Sequence, residues 1–101
     1  MNFEELEALV IEWGAARGIL AHSTALAQLK KTEEEVAELR EALESGGKMD
    51  AIDAYGDILV TLILGAELRG LDLIGCLEHA YDIIKERRGY LTEEGIFVKE
   101  K

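Results

Sequence analysis

The chain has 101 residues, of which 21 are acidic and 11 basic, for a formal net charge of −10. That balance excludes a nucleic-acid backbone or an anionic membrane as the main partner, because like charge repels both. Hydrophobic residues make up 49% of the sequence and aromatic residues only 6%, so the chain folds, and around Leu, Ile, Ala and Val rather than large rings.

A single domain of this length, spanning residues 1–101, buries only roughly 60–70% of the surface its unfolded chain exposes, and self-association would add to that. The amino terminus, Met1-Asn2-Phe3-Glu4-Glu5, has neither the basic nor the apolar region of a secretory signal. The longest largely apolar run, Ile58 to Ala66, falls well short of the roughly 20 residues of a membrane span. The one cysteine, Cys76, excludes an intrachain disulfide and suits a reducing cytoplasm. Its neighbours Ile74 and Leu77 mark it as a packing residue rather than a reactive thiol.

In chain order, Phe3, Leu6, Leu9, Val10 and Trp13 recur at helical spacing and predict a first helix over about residues 3–17, facing inward on that stripe and stopped by Gly18. Asn2 and Glu5 form a capping box at its start. Trp13 reads first as core, with stacking on a base as its alternative role. A short connector, Ile19 to Ser23, leads to Ser23 or Thr24 as the next cap; its His22 is a weak ligand candidate. The sequence holds no Glu-x-x-His spacing, which disfavours a carboxylate-bridged di-iron centre.

A second helix is expected over about residues 25–44, with Leu26, Leu29, Val36, Leu39 and Leu43 inward and Gly46-Gly47 ending it. It carries the chain's most unusual stretch, Lys30-Lys31-Thr32-Glu33-Glu34-Glu35-Val36-Ala37-Glu38. Residues three and four apart share a helix face, so Glu34, Glu35 and Glu38 aim carboxylates at one region, at a cost of about 0.2–0.5 kcal/mol per like-charged pair. Lys30 and Lys31 offset part of this. A divalent cation would offset more: Mg²⁺ takes oxygen ligands and bridges a few carboxylates to substrate phosphates. A solvated acidic face is the bland reading.

A third helix, over about residues 50–69, is apolar nearly all round and is therefore expected to be buried. Asp57, beside the run Ile58-Leu59-Val60, would then have to be ligated, paired or protonated. Asp50, Asp53 and Asp57 form a stripe on it, so two successive helices present acidic pairs, the pattern from which bundles build metal sites. Asp72 caps a fourth helix over about residues 73–88, with the stripe Leu73, Ile74, Leu77, Ala80, Tyr81, Ile84 and with Arg87 and Arg88 in its last turn, where basic residues suit the helix dipole or a phosphate. The tail, residues 90–101, contains one extended segment around Gly95-Ile96-Phe97-Val98. The expected fold is all-α, a four-helix bundle-like domain with a short extended tail.

The pattern Gln28, Lys31, Glu34-Glu35-x-x-Glu38-Leu39, followed by Gly56-Asp57-Ile58-Leu59 at the head of an apolar helix, resembles the MazG-like family of all-α nucleoside triphosphate pyrophosphohydrolases, and most closely its short single-domain phage and bacterial members. Trp13, Tyr81-x-x-x-Lys85 and Gly95-x-Phe97-Val98-Lys99 extend the likeness over nearly the whole chain. The resemblance implies Mg²⁺-dependent hydrolysis, with Mn²⁺ as a substitute ion, of a nucleoside triphosphate to monophosphate and pyrophosphate, in a cytoplasmic homodimer or homotetramer. It implies Glu35, Glu38 and Asp57 as metal ligands, with Glu34 alongside them; Asp53, four before Asp57, substitutes for the family carboxylate missing at position 54, and Glu34 or Glu38 is the group acting on water. Lys31, Lys85 and Arg88 would meet phosphate, and Trp13 the base. Position 54, three before Asp57, is Ala where the family commonly has Glu; this favours the alternative, a non-catalytic helical module that binds nucleotide or a protein partner.

Overall fold

Only two glycines, Gly46 and Gly47, separate the two longest helical segments of the chain, and that brevity decides the architecture. In a computed structural model describing residues 1–100, the elements are α1 (Phe3–Ala16), α2 (Ile19–His22), α3 (Ala25–Ser45), α4 (Lys48–Leu68), α5 (Leu73–Ile84), β1 (Gly89–Leu91) and β2 (Phe97–Lys99). The fold is all-α apart from the terminal hairpin. Gly46 takes a φ of +77°, open to glycine because it lacks a Cβ. The amides of Gly46 and Gly47 both donate to the Ala42 carbonyl, at 3.0 and 3.1 Å, closing α3. The turn sends α4 back along α3, and this pair forms the body of the molecule.

The expected caps are present. Asn2 Oδ1 accepts the Glu5 amide at 2.8 Å, Thr24 Oγ1 accepts the Ala27 amide at 3.0 Å, and Asp72 accepts the Gly75 amide, each satisfying a first-turn donor that has no partner inside the helix. Within the short connector expected from Ile19 to Ser23, residues Ile19–His22 form the single turn of α2. No helix among the described residues is long and apolar enough to cross a membrane.

The faces that pack differ from those the periodicity suggested. On α3 the residues turned toward α4 are Gln28, Thr32, Glu35, Leu39 and Ala42, while Leu26, Leu29, Val36 and Leu43 are exposed. On α1 Glu7 and Gly14 are buried, whereas Phe3, Leu6, Leu9 and Trp13 are exposed. Helix α4 is not enclosed: Ala54, Thr61, Ile63 and Leu64 are buried, but Ile52, Tyr55, Leu59 and Leu62 face outward. Small and hydroxyl side chains thus line the contacts, allowing the helices to approach closely. Thr32 Oγ1 and Thr61 Oγ1 meet across the α3–α4 seam at 2.7 Å, and each also contacts a carbonyl of its own helix. A Cβ added at Gly14 would lie 2.5 Å from Leu64 Cδ2, so α1 can approach the best-buried side chain of the core only because position 14 is bare.

The carboxy-terminal part departs furthest from expectation. Helix α5 ends at Ile84, not 88, and has no basic residue in its last turn. Arg87 and Arg88 instead lead into an antiparallel hairpin pairing Gly89 with Lys99, Tyr90 with Val98 and Leu91 with Phe97. The single extended segment expected in the tail is therefore one half of a two-stranded unit. At its other end α5 is tied to α1: Glu7 Oε2 accepts the amides of Leu73 at 2.9 Å and Ile74 at 3.3 Å, placing a carboxylate at the positive end of the helix dipole.

Replacing Glu7 with Ala leaves those two donors unmatched and should lower stability by about 1–2 kcal/mol. Glu7→Gln, which keeps an acceptor, should lose less. Urea unfolding followed by circular dichroism at fixed protein concentration measures both.

Candidate functional site

The face of α3 that meets α4 repeats at positions 28, 32, 35, 39 and 42, which carries Glu35 into the seam between a threonine and an alanine. Only 6% of Glu35 is exposed, and its Oε2 is buried without a hydrogen-bond partner. Such an atom is costly unless something positive meets it. Lys31 Nζ lies 3.7 Å from Glu35 Oε1 and 3.4 Å from Glu34 Oε2, so this one ammonium is divided between two carboxylates. The Glu34 carboxylate, hydrogen-bonded to it, and the negative charge around it hold the Lys31 ammonium above its ordinary pKa.

Glu38 follows Glu35 by three residues and stands beside it. A proton shared with the Glu38 carboxyl, then burial, then the Glu38 charge push the Glu35 pKa above the ordinary carboxylate range, against a smaller opposing pull from Lys31. From Glu38 the acidic surface continues into a cleft of about 580 Å³ between α3 and α4. Glu38 and Glu41 line it from α3, and Asp50, Asp53 and Asp57 from α4, with Ala42 and Ala54 as its buried floor. None of these five carboxylates has an ion-pair partner among the described residues. Asp57 is exposed in this cleft rather than enclosed by α4, because the apolar flank of α4 faces outward. The enclosed carboxylate of the α3–α4 pair is Glu35.

Glu38, Asp53 and Asp57 therefore share one cleft, and Glu35 joins them through Glu38. Glu41 and Asp50 belong to it as well; their places in the acidic rows of α3 and α4 were the signal for them. Glu34 sits on the exposed edge, paired with Lys31. The remaining residues stand elsewhere. Lys85 pairs with Asp82 at 3.4 Å on exposed α5, Arg88 lies beside Tyr90 and Lys99 in a separate groove, and Trp13, 45% exposed on α1, does not line the cleft.

Among the described residues no three His, Cys, Asp or Glu side chains already converge as a metal-binding group. The donors are nevertheless of the right kind for Mg²⁺. They are all oxygen, they carry unbalanced negative charge, and one of them, Glu35 Oε2, is buried with nothing to bind.

Compared with family models, curated proteins and solved structures, the chain shows no match in any of the three.

The raised pKa of Glu35 sets a pH dependence. A carboxyl whose pKa is higher in the folded than in the unfolded state contributes stability that is present below the unfolded value and is lost as pH rises through the folded one. Glu35→Gln, permanently neutral, should melt above the parent protein at neutral pH, and the gap should close as pH falls below about 4. Adding Mg²⁺ at neutral pH should raise the melting temperature of the parent and leave that of Glu35→Gln nearly unchanged. Thermal melts across pH, with and without Mg²⁺, read both effects.

Proposed function

We propose that the chain is a Mg²⁺-dependent nucleoside triphosphate pyrophosphohydrolase, converting a ribo- or deoxyribonucleoside triphosphate to the monophosphate and pyrophosphate. The single observation that carries this reading is the carboxylate-lined cleft between α3 and α4; Glu35, whose Oε2 has no partner, precedes its lining residue Glu38 by one helical turn. The motif that suggested the family supplies the reaction. Glu35, Glu38 and Asp57 would hold the ion, with Asp53 in support from the position one residue before Ala54. When bound, the ion supplies neutralisation of phosphoryl charge and a lowered pKa for water.

The chain's own groups divide the remaining work. Glu34 or Glu38 orients the attacking water and takes its proton. Glu38 is the better placed, since it lines the cleft and adjoins Glu35. Lys31, already poised over Glu34 and Glu35, is the cation nearest the ligand set and would exchange a carboxylate for a phosphate oxygen. Lys85, Arg88 and Trp13 would contribute to phosphate and base binding once a second subunit is present. The protein would act as a cytoplasmic homodimer or homotetramer with a nucleotide as its small-molecule partner.

A non-catalytic helical module is the second reading, favoured by Ala54: the position where a fourth ligand is expected carries a buried methyl group at the floor of the cleft. The two readings separate in one assay. Incubation with each nucleoside triphosphate and Mg²⁺ should release monophosphate and pyrophosphate, and Glu38→Gln and Asp57→Asn should each slow it about 100-fold or more. Diphosphate and inorganic phosphate as products would count against the proposal. Absence of turnover, together with a stabilisation of about 2.7 kcal/mol by a nonhydrolysable triphosphate at 100 times its dissociation constant, would support the binding module instead.

A further inference from the structure

The carboxylate cleft lies between two points at which α3 and α4 are held together. At one end is the turn of Gly46 and Gly47, which joins the helices directly. At the other, roughly 21 Å away along α3 at about 1.5 Å per residue, Thr32 and Thr61 meet with their hydroxyl oxygens 2.7 Å apart. The cleft carboxylates of Glu38, Glu41, Asp50, Asp53 and Asp57 all fall between these points, and so does Glu35. Because α4 runs back along α3, Thr32, three residues before Glu35, and Thr61, four after Asp57, stand about one helical turn beyond both.

Among the described residues, the threonine pair is the only side-chain hydrogen bond that joins α3 to α4, and each ion pair lies within a single helix. The alanines that share the seam, Ala42 and Ala54, let the helices approach, but apolar contact has no preferred direction. A hydrogen bond does, and it weakens steeply away from its preferred distance and angle. The pair is therefore the contact best able to resist sliding or splaying of the two helices.

Each hydroxyl also has a partner on its own helix. Thr32 Oγ1 lies 2.9 Å from the Gln28 carbonyl and Thr61 Oγ1 2.8 Å from the Ile58 carbonyl, and both residues are only 7% exposed. A hydroxyl has one proton to donate, so two protons serve three contacts. One threonine donates across the seam while the other donates to its own carbonyl, and the carbonyl left over keeps the amide of the helical ladder. Valine at both positions would fill the same shape with no proton to place, so packing alone does not require the hydroxyls. What they add is a fixed spacing of the helices at the open end of the cleft.

We infer that Thr32 and Thr61 are the positioning residues of the cleft: their hydroxyl contact pins the open end of α3 and α4, holds the acidic rows within reach of one small ion, and so favours Mg²⁺ over Ca²⁺. Among the described residues the carboxylates do not converge on a point by themselves. Their side chains have to rotate onto an ion, and how far they reach is set by the spacing of the backbones. Mg²⁺ demands near-octahedral oxygens at about 2.0–2.1 Å, whereas Ca²⁺ accepts roughly 6–8 of them at about 2.3–2.6 Å in looser geometry. Widening or sliding of the seam therefore weakens Mg²⁺ the more. The pinning is independent of any ion; the selectivity rests on the Mg²⁺ reading of the cleft given above.

Two measurements on the full chain test this. Nitroxides attached through cysteines at Lys30 and Glu67, exposed positions beyond the pair, in a Cys76→Ser background diluted with unlabelled chain, report the spacing of α3 and α4 by pulsed electron spin resonance with no ion present. Thr32→Val and Thr61→Val should each broaden the distance distribution, and the double variant no more than either, since all three lose one and the same bond. In each single variant the remaining threonine still donates to its own carbonyl, so no buried donor is stranded. Calorimetric titration of the unlabelled proteins should then show Mg²⁺ weakened about 10-fold or more and Ca²⁺ much less, with Thr32→Ser, which keeps the hydroxyl, restoring the parent ratio. Distances unchanged in the valine variants, broadening that adds up in the double, or equal losses for the two ions would each overturn the inference. Broadened distances in a chain that binds neither ion would uphold the pin and overturn the Mg²⁺ reading together with its selectivity.

Discussion

The closeness with which α3 and α4 approach is the constraint from which the other features follow. Two alanines, Ala42 and Ala54, and the hydroxyl pair of Thr32 and Thr61 line the seam. Glu35 occupies the same row and is drawn into the seam with them. Its burial beside Glu38 produces the unmatched oxygen and raised pKa, and the proximity of the helices sets Glu38 and Glu41 across from Asp50, Asp53 and Asp57. A looser pair of helices would separate these carboxylates into two solvated faces, each with little electrostatic consequence at its distance from the other.

The same constraint explains what the seam excludes. Because small residues make the contact, the leucines of α3 and the aromatic and aliphatic residues of α1 are left on the outside. The chain buries few large apolar side chains, Leu64 foremost, and hydrogen bonds at helix ends and across the seam join its helices. A chain that is half hydrophobic by composition thus has a small interior and carries much of its apolar surface on the outside.

Local signals in the sequence were sufficient for the helices and their ends. Asn2, Thr24, Gly46 and Asp72 act where capping chemistry places them, because these interactions reach only three or four residues. Periodicity found the stripes but assigned them to the wrong side. It reports which residues share a face, and with small residues on one face and large ones on the other it cannot tell which faces the chain's own core. The placement of Asp57 failed for the same reason, since the apolar flank that would enclose it is open. The carboxylate cleft was legible because acidic residues at helical spacing on consecutive helices have few arrangements available. Lys85, Arg88 and Trp13 were not, because their distance from the cleft depends on how α1 and α5 are oriented, which no local pattern encodes. The early end of α5 follows from pairing: Gly89 engages Lys99, and the backbone ahead of it has to straighten.

Glu7 links parts of the molecule that lie far apart along the chain. Its carboxylate, in the second turn of the first helix, holds the amides at residues 73 and 74. Any event at the extreme amino terminus that unwinds this helix, whether trimming by a peptidase or strain from an appended affinity tag, therefore acts on the opposite extremity, loosening the root that holds α5 and its hairpin.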